Sequence, residues 1–187
     1  MTDRLLMRPL REDDLDPLFA IWSDPRVERW IGEHTREDVR VEISFHVAQQ
    51  RRAGWSLWAL EERASGRFIG DCGLQPLELT GPEVELGYDL RPDVWGRGIA
   101  TEAATAVLGR AFGPLELARV VAVVKPDHTA SRRVLEKVGL SLAGERVAYG
   151  ERMLMYQLTR AHYGGQQVER GEAGLRPRRS GKLTPDG

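Results

Sequence analysis

The clearest chemical signature in this chain of 187 residues is a short glycine-bearing loop, Trp95 to Thr101 (WGRGIAT). An apolar run precedes the loop and a helical pattern follows it, so the loop joins a strand to the start of a helix. Helix starts expose unpaired backbone N–H groups and the positive end of the helix dipole, which suit a phosphate. Gly96 and Gly98 would let ligand oxygens approach the backbone, and Arg97 would add a positive charge. The pattern predicts a phosphate site, and a plain tight turn is the alternative.

Two known phosphate motifs differ from this loop. The run from Gly96 begins with the G-x-G of a dinucleotide-binding fingerprint but has Thr101 where that fingerprint needs Gly or Ala. Pro92 and Asp93 also separate the run from the preceding strand. The chain contains no G-x-x-x-x-G-K-S/T sequence, which excludes a P-loop. A dinucleotide-binding oxidoreductase stays open as an alternative, and it predicts binding of NAD(P).

Charge and composition exclude several classes of function. The chain has 27 Lys and Arg residues against 28 Asp and Glu residues, a net charge of −1, so no broad field attracts nucleic acid or an anionic membrane. The charged N-terminal segment lacks the apolar core of a signal peptide, and no apolar run approaches the roughly 18 residues of a membrane span. We expect a soluble cytoplasmic protein with no nucleic-acid or membrane partner.

The residues that most often bind metals show no spacing typical of metal ligands. They are His34, His46, His128, His162 and the single cysteine, Cys72. We therefore expect no metal site. One cysteine cannot form an internal disulfide, and its place in the middle of a predicted strand indicates a core residue.

Hydrophobic periodicity predicts the elements that must position the loop. Helical patterns cover residues 13–24, 35–52, 100–112 and about 128–138, and strand patterns cover residues 4–9, 55–61, 67–74, 84–90, 119–124, 146–149 and 153–159. Their order predicts a mixed α/β domain with a largely antiparallel sheet and one parallel crossover. From about Gly164 the chain is polar and rich in Gly, Arg and Gln, so residues 164–187 are predicted to be a disordered tail.

The loop resembles the acetyl-CoA-binding motif of the GNAT superfamily of N-acetyltransferases, R/Q-x-x-G-x-G/A. The small-residue positions of that motif fall on Gly98 and Ala100, and Trp95 stands where the motif has Arg or Gln. The form W-G-x-G-x-A-T-E-A is similar to the branch related to ribosomal-protein N-terminal acetyltransferases of the RimJ/RimL type.

Three further segments carry the resemblance. Residues 125–140 (KPDHTASRRVLEKVGL) resemble the family's N-x-x-S-x-x-V-L-E-K-x-G-F, with His128 in place of Asn and Leu140 in place of Phe. The opening residues 4–32 and the closing residues 155–160 are similar to those of the RimJ/RimL branch. The resemblance thus extends to about Tyr163, and it implies an acetyltransferase domain over residues 1–163.

The family resemblance implies a fold and a co-substrate. The fold is a mixed α/β GNAT-like domain, with a mostly antiparallel central sheet, a splayed parallel pair of strands and about four flanking helices. The pantetheine arm of acetyl-CoA would pair with the backbone of residues 88–90, and the diphosphate would bind residues 95–101. The implied cofactor-binding residues are Tyr88, Asp89, Leu90, Trp95, Gly96, Arg97, Gly98, Ile99, Ala100, Thr101, His128 and Ser131.

The resemblance also implies a reaction, the direct attack of a primary amine on the thioester. Glu85 is the candidate base, because several family members carry a glutamate on this strand; a solvent-facing Glu85 paired with an arginine is the alternative. Leu135 stands where many members have a tyrosine acid, so Ser131 is the candidate hydroxyl for the departing thiolate. Ser131 would otherwise be a helix-start residue bonded to the backbone, and Tyr156 is a further candidate hydroxyl. Trp30 is the candidate residue of the acceptor pocket.

Several functional alternatives stay open at this point. The acceptor is either a protein N-terminal α-amine, which the branch resemblance favours, or a small-molecule amine. The departures at His128 and Leu135 also allow an acyl-CoA-binding sensor without catalysis. The assembly is either a monomer or a homodimer.

Overall fold

The computed structural model describes residues 2–165, which form one seven-stranded sheet with helices on both faces. The strands are β1 (Leu5–Pro9), β2 (Leu57–Glu62), β3 (Phe68–Pro76), β4 (Val84–Leu90), β5 (Arg119–Val124), β6 (Ser141–Ala148) and β7 (Glu151–Thr159). The helices are α1 (Leu15–Trp22), α2 (Pro25–Ile31), α3 (Arg36–Ala53), α4 (Ile99–Phe112), α5 (Thr129–Lys137) and α6 over residues 160–165. The predicted tail, apart from residues 164 and 165, lies outside the described residues.

The strand order in the sheet is β1-β2-β3-β4-β5-β7-β6. All neighbouring strands are antiparallel except β4 and β5, which are parallel and share a single registered pair, Glu85 opposite Val121. Beyond that pair the two strands separate toward their carboxyl ends. The predicted mixed α/β fold, with its mostly antiparallel sheet and one parallel pair, is confirmed.

Two apolar layers cover the two faces of the sheet. On one face, Leu86 and Leu90 of β4 share a buried cluster with the inward side of α4, including Ala104 and Leu108. On the other face, a second cluster joins α1, α2 and α3 to β2. Because successive side chains of a strand point to opposite faces, β4 presents residues 86, 88 and 90 to α4 and α5, and residues 85, 87 and 89 to the helices α1–α3.

The structure contains a helix that the sequence analysis missed. The step Asp24-Pro25 was expected only to end a helix, but it also begins α2: Pro25 is the first helical residue, and the Asp24 side chain accepts a hydrogen bond from the backbone N–H of Arg26. Proline is favoured at this position because its missing N–H would be unpaired there in any case. This helix and α6 raise the number of helices above the predicted four.

The strand β6 begins earlier than predicted. It runs from Ser141 rather than from about Arg146, with a register shift against β7 between Leu142 and Gly144. Gly144 has a φ of 136°, and the irregularity interrupts the alternation that marks a strand in the sequence. Tyr149, predicted to be in this strand, lies in the following turn with a φ of 52°.

Two structural findings concern functions other than small-molecule binding. Among residues 2–165, no helix combines the length and the apolar character needed to cross a membrane. The same residues contain no group of three or more His, Cys, Asp or Glu side chains that could hold a metal ion. Cys72 is fully buried in the cluster beneath α4, and burial raises the pKa of its thiol.

Candidate active site

A cavity of about 270 Å³ opens where β4 and β5 separate. Its walls come from both faces of the sheet: α1–α3 with the adjoining loop on one side, and the start of α5 on the other. Its polar and aromatic lining residues include Trp22, Trp30, His34, Glu42, Gln75, Glu85, Tyr88, Asp89, Lys125, His128, Ser131 and Tyr149. The cavity therefore brings together the two predicted catalytic residues, Glu85 and Ser131, and the predicted acceptor residue, Trp30.

Glu85 lies at the point where β4 and β5 still touch, and only 5% of its surface is exposed. Its Oε2 atom accepts hydrogen bonds from Nε2 of Gln75, at 3.1 Å, and from the Tyr149 hydroxyl. Burial raises the pKa of Glu85, and these two hydrogen bonds offset part of the rise. The carboxylate thus lies in the cavity, is not exposed to solvent, and has neutral hydrogen-bond donors.

Tyr149 is a site residue that the sequence analysis missed. Its hydroxyl donates to Glu85, and its backbone N–H donates to Oε1 of Glu78 at 2.9 Å. Burial and the nearby Glu85 carboxylate both raise the pKa of Tyr149, so the phenol stays protonated and remains a donor. The sequence analysis predicted Tyr149 only as the last residue of a strand, and nothing local indicated a partner 64 residues away.

Tyr88 and Ser131 form a hydroxyl pair on the opposite side of β4. The Tyr88 hydroxyl lies 2.8 Å from Oγ of Ser131. The Ser131 backbone N–H donates to Nδ1 of His128 at 3.5 Å, so His128 caps α5 and the Ser131 hydroxyl faces Tyr88. Tyr88 therefore places a second hydroxyl in the region where the sequence analysis found no tyrosine. Burial raises the pKa of Tyr88, which keeps it protonated.

His128 and Trp30 are in direct contact. Their rings stack with centroids 3.8 Å apart and planes inclined by 16°. The guanidinium carbon of Arg29 lies 4.2 Å from the centroid of the Trp30 ring. Burial lowers the pKa of His128 to about 4, so its ring is neutral and Nδ1 can accept the hydrogen bond from Ser131. The predicted cofactor residue His128 and the predicted acceptor residue Trp30 thus form one wall of the cavity.

The glycine loop is exposed and has an open surface. Gly96 and Gly98 have φ values of 74° and 77°, a left-handed conformation that glycine adopts without steric cost. Gly98 is the residue before the first turn of α4, and no side chain caps that turn. The first backbone N–H groups of α4 therefore have no partner within the helix. Ile99 is buried, and Ala100 and Thr101 are half-buried.

The loop is tied to the end of β4 by Trp95. The indole N–H of Trp95 donates to the carbonyl oxygen of Leu90 at 2.8 Å, while 43% of the Trp95 surface stays exposed. That bond uses one of the two acceptor sites of the Leu90 carbonyl, and pairing of residues 88–90 with pantetheine stays a prediction. The Asp89 side chain points to the α1–α3 face, on the same side as Glu85.

Two guanidinium groups flank the loop. Arg97 forms an ion pair with Glu62 at 2.9 Å. Arg4 donates to the carbonyl of Arg97 at 2.8 Å and pairs with Glu102 at 2.6 Å. Arg4 was not predicted at this site, because its partners lie more than 90 residues away in the sequence. The loop therefore combines backbone donors, a helix start and two cationic side chains.

Comparisons with known proteins identify the family of this chain. The family model described as "Acetyltransferase (GNAT) domain" matches residues 4–141. The uncharacterized N-acetyltransferase YoaA of Bacillus subtilis (strain 168) is 33% identical over 147 residues, which cover 76% of this chain and 82% of that protein. An acetyltransferase structure from Agrobacterium tumefaciens str. C58 has a TM-score of 0.75 at 29% identity, covering 84% of this chain and 92% of its own.

A more distant structure shows the same fold. The aminoglycoside acetyltransferase AAC(6')-Ib in complex with coenzyme A has a TM-score of 0.73 and covers 87% of this chain and 99% of its own. Its 16% identity limits the likeness to the fold. The matched domain and the similarity to YoaA establish the family: this chain belongs to the GNAT acetyltransferases and is an acetyl-CoA-dependent N-acetyltransferase.

Proposed function

We propose that this enzyme acetylates a primary amine by direct attack on the thioester, with Glu85 accepting the proton that the amine loses. The observation that carries the proposal is the buried Glu85 carboxylate at the point where β4 and β5 separate. A carboxylate with a raised pKa is a stronger base, and the low polarity of its surroundings favours proton transfer from a bound ammonium.

The co-substrate would bind across the gap between β4 and β5. Backbone groups of Tyr88 and Asp89 would pair with the pantetheine arm, much as a peptide adds a strand to a sheet. The loop of residues 95–101 and the start of α4 would bind the diphosphate, with Arg4 and Arg97 beside it. His128 would close the cofactor side, and Trp30 would line the acceptor side.

The reaction needs little acid–base help once both substrates are positioned. An α-amine has a pKa of about 8 and a lysine-type amine about 10.4, so the base matters more for the second kind of acceptor. The amine nitrogen forms a bond to the thioester carbon, its proton passes to Glu85 directly or through water, and the carbon–sulfur bond breaks. The thiolate that leaves has a pKa of about 8.5, and the Tyr88–Ser131 hydroxyl pair would donate a hydrogen bond to it.

The acceptor belongs to one of two classes in this proposal. Resemblance to the RimJ/RimL branch supports a protein N-terminal α-amine, and the modest volume of the cavity, about 270 Å³, supports a small-molecule amine. A cytoplasmic location and the choice between monomer and homodimer remain predictions from the sequence.

A thiol-release assay with acetyl-CoA and a panel of amines and N-terminal peptides tests the proposal. We expect CoA release that depends on the acceptor and is lost in Glu85→Gln. Binding of acetyl-CoA with release no faster than hydrolysis for every acceptor would identify the catalytically silent sensor instead. Thermal-shift titration with acetyl-CoA and with NADPH provides the matched binding measurement.

A further inference from the structure

A second group of carboxylates lies on the Glu85 face of the sheet, and the proposed reaction does not use them. Asp71 of β3 is directly opposite Asp89 of β4 in the antiparallel ladder. Residues opposite each other in a ladder project to the same face, which here is the face of α1–α3 and the cavity. Glu42 of α3 completes the group from the helical side.

One of these carboxylates has an unpaired oxygen at zero exposure. Asp71 is 0% exposed, and its Oδ2 atom accepts a 3.3 Å hydrogen bond from the indole of Trp22, itself a residue of the cavity wall. Its Oδ1 atom has no hydrogen-bond partner among residues 2–165. Asp71 does not line the cavity itself but lies next to two residues that do, Trp22 and Asp89. Buried polar atoms are nearly always paired, so its orphaned carboxylate oxygen needs an explanation.

The charges around Asp89 also lack compensation. Burial raises the pKa of Asp89 to about 7, the carboxylates of Glu42 and Glu85 act in the same direction, and only His34 opposes them. Lys125 is the cationic side chain in the cavity wall, but it is paired with Glu151 at 2.8 Å. This part of the cavity would therefore be stabilised by a positive charge that a ligand brings.

The remaining walls suit an organic cation with a hydrocarbon spacer. The rings of Trp22 and His34 lie 5.0 Å apart at this end of the cavity, and Trp30 lies on the path toward α5. Aromatic faces pack against methylene groups and attract ammonium groups. Glu85 and Asp89 are four residues apart on β4, so their Cα atoms are about 13 Å apart, which limits the spacing of two bound nitrogens.

We propose that the acceptor is a small linear diamine or polyamine, whose first nitrogen is acetylated at Glu85 while a second, protonated nitrogen binds between Asp89 and Glu42. The inference rests on the proposed function, since it assigns a substrate class to the same acceptor site. Burial and the neighbouring Asp89 carboxylate raise the pKa of Asp71, and an ammonium bound beside Asp89 would oppose that rise.

The test compares diamines with monoamines of matched length. Thiol release is measured with 1,4-diaminobutane, 1,6-diaminohexane and 1,8-diaminooctane against the corresponding n-alkylamines. We expect the kcat/KM of at least one diamine to exceed that of its monoamine by about tenfold or more, and Asp89→Asn to reduce this ratio toward one. Asp16→Asn, on the exposed surface of α1, is the matched control and should keep the wild-type ratio.

A binding measurement keeps the test independent of turnover. Calorimetric titration of the CoA-bound enzyme with 1,6-diaminohexane and with hexylamine should show tighter binding of the diamine, and Glu42→Gln and Asp89→Asn should each weaken that binding. Equal kcat/KM and equal affinity for the diamine and the monoamine would overturn the inference and leave the proposed function standing. Preference for a basic N-terminal peptide over every diamine would also overturn it, and no turnover with any amine would overturn the proposed function itself.

Discussion

The two faces of β4 differ sharply in chemistry, although they belong to the same seven residues. One face carries Glu85 and Asp89 and is surrounded by further acids. The other carries Tyr88 between two leucines and packs against α4 and α5. Strand alternation alone separates them. A single strand can thus present an anionic surface to an ammonium on one side and a neutral, apolar surface to a thioester arm on the other.

A similar contrast in charge distinguishes the acceptor side of the cavity from the glycine loop. The acceptor side has an excess of carboxylates, whereas the glycine loop has the start of α4 and the guanidiniums of Arg4 and Arg97. Because these guanidiniums are paired with Glu102 and Glu62, the positive potential of the loop comes mainly from the unpaired backbone N–H groups at the start of α4. Two substrates of opposite charge could therefore approach the same strand from opposite sides without competing.

A substitution in the glycine loop, the proposed diphosphate site, should have the largest effect on function. Gly98→Val places a branched side chain in the loop, and we expect acetyl-CoA binding to fall below detection in calorimetry. The left-handed backbone will also cost stability, about 1–2 kcal/mol. Gly54→Val is the matched control, because Gly54 has a φ of 76° and open space around it but lies at the end of α3. Equal losses of acetyl-CoA binding in both variants would contradict the assignment of the loop.

Removal of the Glu85 carboxylate should have the second-largest effect. We expect Glu85→Gln to lower kcat/KM by about 10²-fold, the lower end of the range for general base catalysis. The loss should be largest above the raised pKa of Glu85, where the wild-type carboxylate is ionised and can accept a proton, and it should shrink as the pH falls. The pH profile of thiol release is the measurement, and Glu145→Gln on the exposed part of β6 is the control. A pH profile parallel to that of the wild type would remove Glu85 from the mechanism.

The burial of Asp89 on the acidic side predicts that removing its charge increases stability. The pKa of Asp89 rises from 3.8 to about 7 on folding, so this carboxyl favours the folded state at low pH and costs stability as the pH rises toward 7. Asp89→Asn should raise the free energy of unfolding by up to about 4 kcal/mol at pH 8. The gain should vanish near pH 4, as measured by urea unfolding at both values. A gain that does not depend on pH would contradict this origin.

The smallest effect is expected from the hydrogen bond that orients Glu85. Tyr149→Phe removes a donor to the carboxylate, so the pKa of Glu85 should rise further and the acid limb of the activity profile should move to higher pH. We expect a loss of about threefold to tenfold near neutral pH, in line with the net contribution of about 0.5–1.5 kcal/mol of a typical hydrogen bond. Tyr163→Phe serves as the control. An unchanged acid limb would show that Tyr149 does not act through Glu85.

The sequence predicted those parts of the site whose signals are local. The bounds of β4 and β5 were predicted correctly, because the signal lies within each strand. The signal is apolar alternation in β4 and a run of β-branched residues in β5. The glycine loop was located for the same reason. Side chains that reach the site from distant segments gave no such signal: Tyr149 contacts Glu85, and Arg4 contacts Arg97, only because the sheet brings them together.

The juxtaposition of Asp71 and Asp89 was also beyond what local sequence signals could predict. Asp71 and Asp89 are each unremarkable in the sequence, and the register of β3 against β4 places them opposite each other. A shift of one residue would have sent one of them to the opposite face. Register depends on contacts along the whole hairpin, and the sequence analysis predicted the two strands without their alignment.

The single registered pair between β4 and β5 divides the sheet into two half-sheets, β1–β4 and β5–β7–β6, that meet along a seam. Packing beneath α4, rather than ladder hydrogen bonds, spans most of this seam. A pantetheine chain bound in this seam would connect the two half-sheets. Occupancy by acetyl-CoA should therefore slow amide hydrogen exchange on both strands at once and make the two halves unfold as one cooperative unit.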